Sequence, residues 1–339
     1  MIEKLISNPL TLKRYRNFKK IRRAAISTWI FLAILLISLT AELLANSKPI
    51  IMSYQGIIYF PAIKMYHPTI FSQADTMVTN YRREQFKDAD WVIWPIVKWD
   101  PYESNTKVES YPAPPSEVNW LGTDDRGRDV LARLVYGFRY SIVFALLVWL
   151  STYMLGISLG AIMGYFGGRI DLFGQRVVEI FESVPTLLLL ITLISIFDAS
   201  LPLLIIFSAI FGWMHISVYT RAEFLRLRRR EFVESARALG SSEWRVIFKH
   251  ILPNALAPVV TFSPFTITGG ISSLAVLDYL GFGLPAPTPS WGELLNQAQR
   301  NFTIAWWLAV FPSLALFLSL VVLNLIGEGA REAFDPRKS

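Results

Sequence analysis

Four ionisable side chains stand inside long apolar stretches of this 339-residue chain: Glu179, Glu182, His215 and Asp278. A charge at membrane depth is costly unless it faces a polar cavity or finds a partner. Glu182, His215 and Asp278, together with the helix-breaking Pro185, are therefore predicted to line a path through a bilayer. Glu179 follows Arg176 at the spacing of a helical ion pair, so it is predicted to be a structural anchor.

A second group alternates carboxylates with guanidiniums, in the stretch Leu121-Gly122-Thr123-Asp124-Asp125-Arg126-Gly127-Arg128-Asp129. Pairing among these groups can fix how a helix leaves the aqueous phase. Carboxylates this close also suggest hydrolytic acid/base chemistry at Asp124, Asp125 and Asp129, or a cation site. The neighbouring arginines offset the charge and no nucleophile lies nearby, so both alternatives are ranked low.

Several chemistries are excluded or disfavoured by what the sequence lacks. No Gly-x4-Gly-Lys-Ser/Thr phosphate loop occurs, so the chain is not expected to hydrolyse ATP. With no cysteine and three histidines outside any cluster, no metal site is predicted. The net charge of +7 could suit nucleic acid, but the basic residues lie between apolar runs and instead indicate membrane topology.

The elements that must position these groups are membrane helices, because 53% of the residues are apolar and only 17% are charged. Apolar runs predict six spans, at residues 24–44, 141–165, 177–196, 201–219, 256–280 and 304–326. Arginines follow the second, fourth and sixth spans, which places both termini and a loop at 220–255 in the cytoplasm. The basic run Arg226–Arg230 is predicted to mark that side and to touch anionic lipid.

Glycines and prolines interrupt several of these spans. Gly156, Gly160 and Gly164 recur every four residues, a spacing that allows close helix approach. Between the first two spans, residues 45–140 form an insertion with strand-like stretches and proline breaks. We therefore expect a small extracytoplasmic β-containing subdomain.

The polar interlude at residues 231–253 predicts a helix, a sharp turn and a second helix. Phe232, Ala236 and Leu239 recur at helical spacing, and Gly240 tolerates a left-handed turn. Either Ser241 or Ser242 can cap the next helix, with Glu243 in its first turn. Pro253 is predicted to help end that helix.

This interlude resembles the EAA loop of permease subunits in bacterial ATP-binding-cassette importers. The matching residues are Glu234, Ser235, Ala236, Gly240, Leu252 and Pro253, with Ser235 and His250 as departures from the pattern. The resemblance implies a coupling helix that docks on an ATPase subunit. It assigns ATPase coupling to the residues Glu234, Ser235, Ala236, Gly240, Ser241, Ser242, Glu243, Trp244, Leu252 and Pro253.

Three more stretches resemble the dipeptide, oligopeptide and nickel branch of that family. They are Leu121–Asp129, the segment Leu277–Gly292, and Gly327–Pro336 at the end of the chain. By resemblance, a periplasmic gate or binding-protein contact falls on Asp124, Arg128, Asp129, Gly281, Gly283, Pro289 and Trp291. For Trp291, Trp306 and Trp307, an interfacial aromatic belt is favoured over stacking on solute.

The resemblance is closest to the Yej-type branch, which carries peptides such as microcin C. It implies a six-span, type I (MetI-like) permease in the bacterial inner membrane, with domains at 1–23, 24–44, 45–140, 141–326 and 327–339. The implied partners are a second permease, two ATPases that hold ATP and Mg²⁺, a periplasmic solute-binding protein and lipid, without nucleic acid. Alternatives are a permease for nickel or another small solute and, ranked lower, an ATP-independent ion or proton-coupled carrier or a membrane hydrolase.

Overall fold

A computed structural model describes residues 9–71, 73, 77–82 and 91–334 of the chain. The described helices are α1 (Pro9–Lys20), α2 (Arg22–Leu39), α3 (Ala41–Leu44), α4 (Val130–Phe166), α5 (Gly168–Glu182), α6 (Thr186–Ile196), α7 (Leu201–Leu227), α8 (Glu231–Ala238), α9 (Glu243–Arg245), α10 (Leu252–Val260), α11 (Ser263–Tyr279), α12 (Trp291–Arg300) and α13 (Trp306–Phe334). A π-helical turn, Val246–Ile251, joins α9 to α10.

Five described helical stretches are long and apolar enough to cross a bilayer: α2, α4, α7, Pro258–Tyr279 and α13. Helices α5 and α6 meet this criterion only as a pair, and they are bent by 74° at the intervening break. The 11 residues of α6 extend about 17 Å, about half of a hydrocarbon core. The predicted helical membrane architecture is confirmed: the described residues contain five such stretches, or six if this bent pair forms one span.

The predicted borders differ from the helix ends because hydropathy marks only the lipid-facing part of a helix, whereas backbone hydrogen bonding continues into polar sequence. Helix α4 begins at Val130 rather than Ser141, and α7 continues to Leu227, inside the predicted loop 220–255. Helix α13 reaches Phe334, inside the predicted tail 327–339. Residues 1–8 of the predicted N-terminal tail, and Asp335 and Pro336 of the C-terminal motif, lie outside the described residues.

The insertion contains a three-stranded antiparallel sheet, in the order β2-β1-β3, made of β1 (Ile51–Tyr54), β2 (Ile57–Tyr59) and β3 (Trp91–Ile93). Gln55 and Gly56 join β1 to β2 with φ of 53° and 75°, the geometry of a tight hairpin turn. A small buried cluster packs on this sheet and consists of Met52 of β1, Phe71 and Tyr81. The predicted β-containing insertion is confirmed.

The described residues divide into two compact units. The first unit comprises those within Met1–Phe31, Ser141–Pro285 and Phe317–Ser339. The second unit comprises those within Leu32–Tyr140 and Ala286–Leu316, and it includes the sheet.

In the first unit, the glycines of α4 allow α7 to pack at very short range. A Cβ at Gly156 would lie 2.7 Å from the carbonyl oxygen of Trp213, and a Cβ at Gly164 would lie 2.6 Å from that of Arg221. A Cβ at Gly160 would collide with the carbonyl of Ser217. The small side chains predicted to permit close helix approach do so along this face.

Gly160→Ala is expected to destabilise the protein by roughly 1–3 kcal/mol, because the added methyl group forces two backbones apart. Gly269→Ala is the matched control, since Gly269 is also helical and no atom from outside its own helix lies within 4 Å of the place that a methyl group would take there. The control should be neutral or stabilising by up to about 1 kcal/mol. Thermal unfolding in detergent would measure both, and equal stabilities would contradict the packing described.

Candidate functional site

The stretch of residues 231–253, here called the elbow, folds as a helix, a sharp turn and a second helix, as predicted. Gly240 follows α8 with φ of 77°, a left-handed conformation that costs glycine little. Of the two serines that could cap the next helix, Ser242 does so, because its hydroxyl accepts the backbone N–H of Arg245.

Two predictions about the elbow need correction. Helical spacing grouped Phe232, Ala236 and Leu239, but α8 ends at Ala238, and Val233 is buried with Ala236 instead. Pro253 does not end the second helix, which continues as α10 to Val260. The preceding π-helical turn explains this, because its wider winding shifts the carbonyls that the proline ring would otherwise meet.

One side of the elbow joins the hydrophobic core of the first unit. Val233, Val246 and Ile251 are fully buried in a cluster with Tyr165 of α4 and Phe224 of α7. The ends of two spans and the elbow therefore share one packed core.

The other side of the elbow presents large apolar side chains outward. Leu239, Trp244 and Phe248, here called the apolar tip, are 87%, 72% and 56% exposed. The rings of Trp244 and Phe248 stack with centroids 5.7 Å apart and planes 15° apart. An exposed aromatic pair on a short polar segment is typical of a protein-docking surface.

Two arginines attach the elbow region to the end of α4. Arg228 donates from Nη1 to the carbonyl oxygens of Gly164 (3.2 Å) and Tyr165 (2.8 Å), which belong to the last turn of that helix. Arg237 donates from Nη2 to the Tyr165 hydroxyl at 3.0 Å, and its guanidinium lies 5.4 Å from the ring centroid. These contacts tie the elbow region to the last turn of α4.

The predicted path residues Glu182 and His215 come together beside the bend between α5 and α6. Nδ1 of His215 lies 3.6 Å from Oε1 of Glu182, and both side chains are exposed. Pro185 is the last residue of the break and immediately precedes α6. Glu179 pairs with Arg176 as its spacing predicted.

Asp278, the other predicted path residue, is buried and takes a structural role. Its Oδ1 accepts the backbone N–H of Leu284 at 2.6 Å, across the turn in which Gly281 has φ of 83°. A Cβ at Gly283 would collide with Asp278. The carboxylate therefore holds this turn closed, which explains why it is tolerated at the end of α11.

In the second unit, the charged stretch before α4 forms a buried ion-pair network. Arg128 contacts Asp124 at 2.6 Å and Glu293 of α12 at 3.2 Å, and Arg133 contacts both Asp124 and Glu293. The Arg133 guanidinium is fully buried and also donates to the carbonyls of Pro101, Pro287 and Thr288. The predicted pairing of these charges is present, and it joins segments distant in sequence.

Comparison with known proteins identifies the family. The family profile described as "Binding-protein-dependent transport system inner membrane component" matches residues 156–339. The inner membrane ABC transporter permease protein YejE of Escherichia coli K12 is 41% identical over 98% of this chain and 98% of that protein.

The chain belongs to this permease family.

Two further relatives support the assignment. The peptidoglycan transport system permease protein YejE of Agrobacterium fabrum C58 is 37% identical, over 98% of this chain and 94% of the relative. The oligopeptide transport system permease protein OppC of Bacillus subtilis 168 is 34% identical, over 69% of this chain and 77% of the relative. The matches cover most of each relative's length.

Several residues of the permease predicted to form a periplasmic gate or docking surface are inaccessible. Asp124, Arg128 and Asp129 are at most 2% exposed, so they cannot contact another protein directly. Burial raises the pKa of the Asp129 carboxyl above its usual range, although the Ala132 N–H and the Asn119 amide stabilise its charged form. These residues position the start of α4.

The tryptophans of the permease also differ from the predicted interfacial belt. Trp291 is buried and donates from Nε1 to the carbonyl of Leu134 at 2.8 Å. Trp307 is buried and donates to the carbonyl of Thr123 at 3.0 Å. Trp306 is exposed. The other two tryptophans can pack inside the protein because their indole N–H groups have hydrogen-bond acceptors there.

Sequence reasoning missed several contacts that organise the permease. Arg228 belongs to a run predicted to touch lipid, yet it caps α4. Arg221 forms a bidentate ion pair with Asp171 of α5. The sequence indicated only that Arg221 lies on the basic side of the membrane, and it did not predict this partner.

Among the described residues, no group of three His, Cys, Asp or Glu side chains is arranged to hold a metal ion.

Gly240→Val in the permease is expected to slow transport while leaving membrane insertion intact. The site is sterically open, so the cost is backbone strain alone, about 1–2 kcal/mol for a left-handed residue with a β-carbon. Gly240→Asn is the matched control, because asparagine tolerates this conformation. Uptake by the Gly240→Val variant equal to that of Gly240→Asn would contradict a role for this turn.

Proposed function

We propose that this chain is a permease subunit of an ATP-driven importer that moves peptides or peptide-like solutes from the periplasm to the cytoplasm. The family is defined by dependence on a binding protein, and relatives that cover most of the chain are named for oligopeptide and peptidoglycan transport. A peptide of the microcin C type fits this solute class. Nickel or another small solute is the competing cargo.

The apolar tip of the elbow is the observation that supports this function most directly. The side chains of Leu239, Trp244 and Phe248 are exposed. The same elbow is anchored in the hydrophobic core by the buried side chains of Val233, Val246 and Ile251. A surface built this way suits reversible docking on a partner that moves. The proposed partner is an ATPase subunit. In the proposed assembly, that subunit binds ATP and Mg²⁺, and the permease does not.

Force would pass from the ATPase through the elbow to the spans. Around the tip, the resemblance to the EAA loop assigns coupling to Glu234, Ser235, Gly240, Ser241, Glu243 and Leu252. Arg237 and Tyr165 then connect the elbow to α4, and the shared core connects it to α7. Helix α7 carries His215, which faces Glu182 beside the bend, so movement there can open or close a polar passage.

The proposed assembly contains a second, homologous permease, two ATPases and a periplasmic solute-binding protein in the bacterial inner membrane. The elbow and both termini lie in the cytoplasm, and the insertion lies in the periplasm. On the periplasmic side, the turn with Gly281 and Gly283 acts as a gate element. Pro289 itself is buried, contrary to its predicted docking role, and the exposed Ala286 and Pro287 near it are proposed to face the binding protein instead. The buried ion-pair network positions this segment through the hydrogen bond from Arg133 to the carbonyl of Pro287.

Reconstitution of the assembled complex in liposomes tests this function. With the binding protein outside and ATP inside, we expect accumulation of an oligopeptide that stops when ATP is replaced by a non-hydrolysable analogue. Liposomes that hold the permease chain alone should show no flux. Flux through the chain alone, driven by an ion or proton gradient, would favour the carrier alternative and overturn the proposal.

A further inference from the structure

The second unit contains a cavity of about 830 Å³ in the segment that precedes α4. Its walls carry charged, amide and aromatic side chains, among them Trp99, Lys107, Glu117, Trp120 and Asp129. This volume suits a small organic ligand, and walls that mix aromatic surface with a few polar groups are typical of ligand sites.

Two lining residues of the cavity, Asn105 and Asp129, are joined through Asn119 by a chain of buried hydrogen bonds. Asn105 donates from Nδ2 to Oδ1 of Asn119 at 2.7 Å, and Asn119 donates from Nδ2 to Oδ2 of Asp129 at 2.8 Å. All three side chains are at most 3% exposed. This part of the cavity wall is therefore preorganised, because its side chains have a single satisfied hydrogen-bonding arrangement.

The same two asparagines make hydrogen bonds at or next to two exposed charged lining residues, Lys107 and Glu117, here called the rim. The Oδ1 atom of Asn105 accepts the backbone N–H of Lys107 at 3.1 Å. The backbone N–H of Asn119 donates to Oγ of Ser116 at 3.1 Å, next to Glu117. Lys107 and Glu117 are thus carried by two segments that a buried amide bridge joins.

Most other charges of the cavity are already paired. Arg82 donates to Glu103 at 2.9 Å and stacks 4.0 Å from the ring centroid of Trp99. By contrast, the Lys107 ammonium and the Glu117 carboxylate have no ion-pair or hydrogen-bond partner among the described residues. The Lys98 ammonium, which also lines the cavity, lies 5.7 Å from the ring centroid of Trp94. Within the part of the chain that the structure describes, Lys107 and Glu117 are therefore the lining charges without an ion-pair, hydrogen-bond or ring contact, and the half-exposed Trp120 lines the same cavity.

We propose that this cavity binds a short zwitterionic peptide. Its terminal carboxylate pairs with Lys107, its terminal ammonium pairs with Glu117, and an apolar side chain packs on Trp120. The choice of a peptide rests on the proposed function, whereas the requirement for two opposite charges and an apolar group comes from the cavity itself. The site gives the permease a peptide contact outside the membrane spans.

Equilibrium dialysis of radiolabelled Ala-Phe-Ala against the purified full-length permease in nanodiscs tests the site. We expect saturable binding that weakens at least tenfold with Lys107→Gln, with Glu117→Gln, with N-acetylation or with C-terminal amidation of the peptide. The amidated peptide should be insensitive to Lys107→Gln, because the contact that it lacks is the one the variant removes. Lys107→Arg should restore most of the affinity.

The variant Glu182→Gln distinguishes peptide binding in the cavity from peptide binding in the proposed membrane path, because Glu182 belongs to that path and does not line the cavity. We expect no effect of this variant on dialysis binding. The proposal is overturned by absence of binding, by binding insensitive to both rim variants, or by loss of binding only with Glu182→Gln. ATP-driven uptake that persists without this binding would leave the transport function standing, and binding without uptake would leave the cavity site standing.

Discussion

Trp244→Ala is expected to weaken binding of the ATPase subunit to the permease by about 30-fold or more. Truncating a central aromatic anchor of an interface costs about 2 kcal/mol or more, and 2 kcal/mol corresponds to about a 30-fold change in affinity. Trp244 is 72% exposed in this chain and stacks on Phe248, so its ring is available to fill a partner's groove. Titration of the purified ATPase onto the permease in nanodiscs measures this affinity.

Trp29→Ala is the matched control for that experiment. Trp29 is 73% exposed but lies in α2, the first membrane span, outside the elbow. Its truncation should leave ATPase affinity unchanged. Equal losses for the two variants, or no loss for Trp244→Ala, would mean that the apolar tip does not bind the ATPase.

Arg133→Met is expected to destabilise the protein by roughly 3–5 kcal/mol, because it leaves buried carboxylate charge without its partner. The guanidinium is fully buried, contacts Asp124 and Glu293, and donates to three backbone carbonyls. Arg133→Lys keeps the charge but not the planar set of donors, so it should cost less. Thermal unfolding in detergent would rank the two variants.

Arg23→Gln is the control for Arg133, because Arg23 forms ion pairs at an exposed position. It lies 3.6 Å from Glu328 and 3.5 Å from Glu332, and its side chain is 56% exposed. Exposed pairs contribute at most about 1 kcal/mol. A loss of stability for Arg133→Met as small as that for Arg23→Gln would contradict the account of the buried network.

Local chemistry made the elbow predictable from sequence. Gly240 adopts the left-handed turn, and Ser242 caps the following helix, because each effect depends on a few neighbouring residues. Pro253 was misjudged because its tolerance depends on a π-helical turn, and no residue type specifies such a turn by itself. The glycine spacing of α4 was informative for the same local reason, since helical geometry alone places those residues on one face.

Long-range contacts were beyond the reach of sequence reasoning. Glu293 meets Arg128 and Arg133 across more than 150 residues, and no spacing rule connects them. Arginines between spans indicate membrane topology, but this pattern does not reveal their individual contacts. It did not predict that Arg228 caps the end of α4 or that Arg221 pairs with Asp171. The burial of individual side chains was equally unpredictable from sequence. The charged motif before α4 was predicted to form a docking surface, but its side chains at Asp124, Arg128 and Asp129 are buried.

Docking of the elbow on an ATPase at the cytoplasmic surface is tested most directly with a single thiol. The sequence contains no cysteine, so Leu239→Cys gives the permease one reactive site at the apolar tip. In inside-out vesicles with the assembled complex, we expect this thiol to cross-link to an ATPase subunit, with a yield that changes when ATP is added. Labelling only from the periplasmic side, or cross-linking to no subunit, would contradict the account.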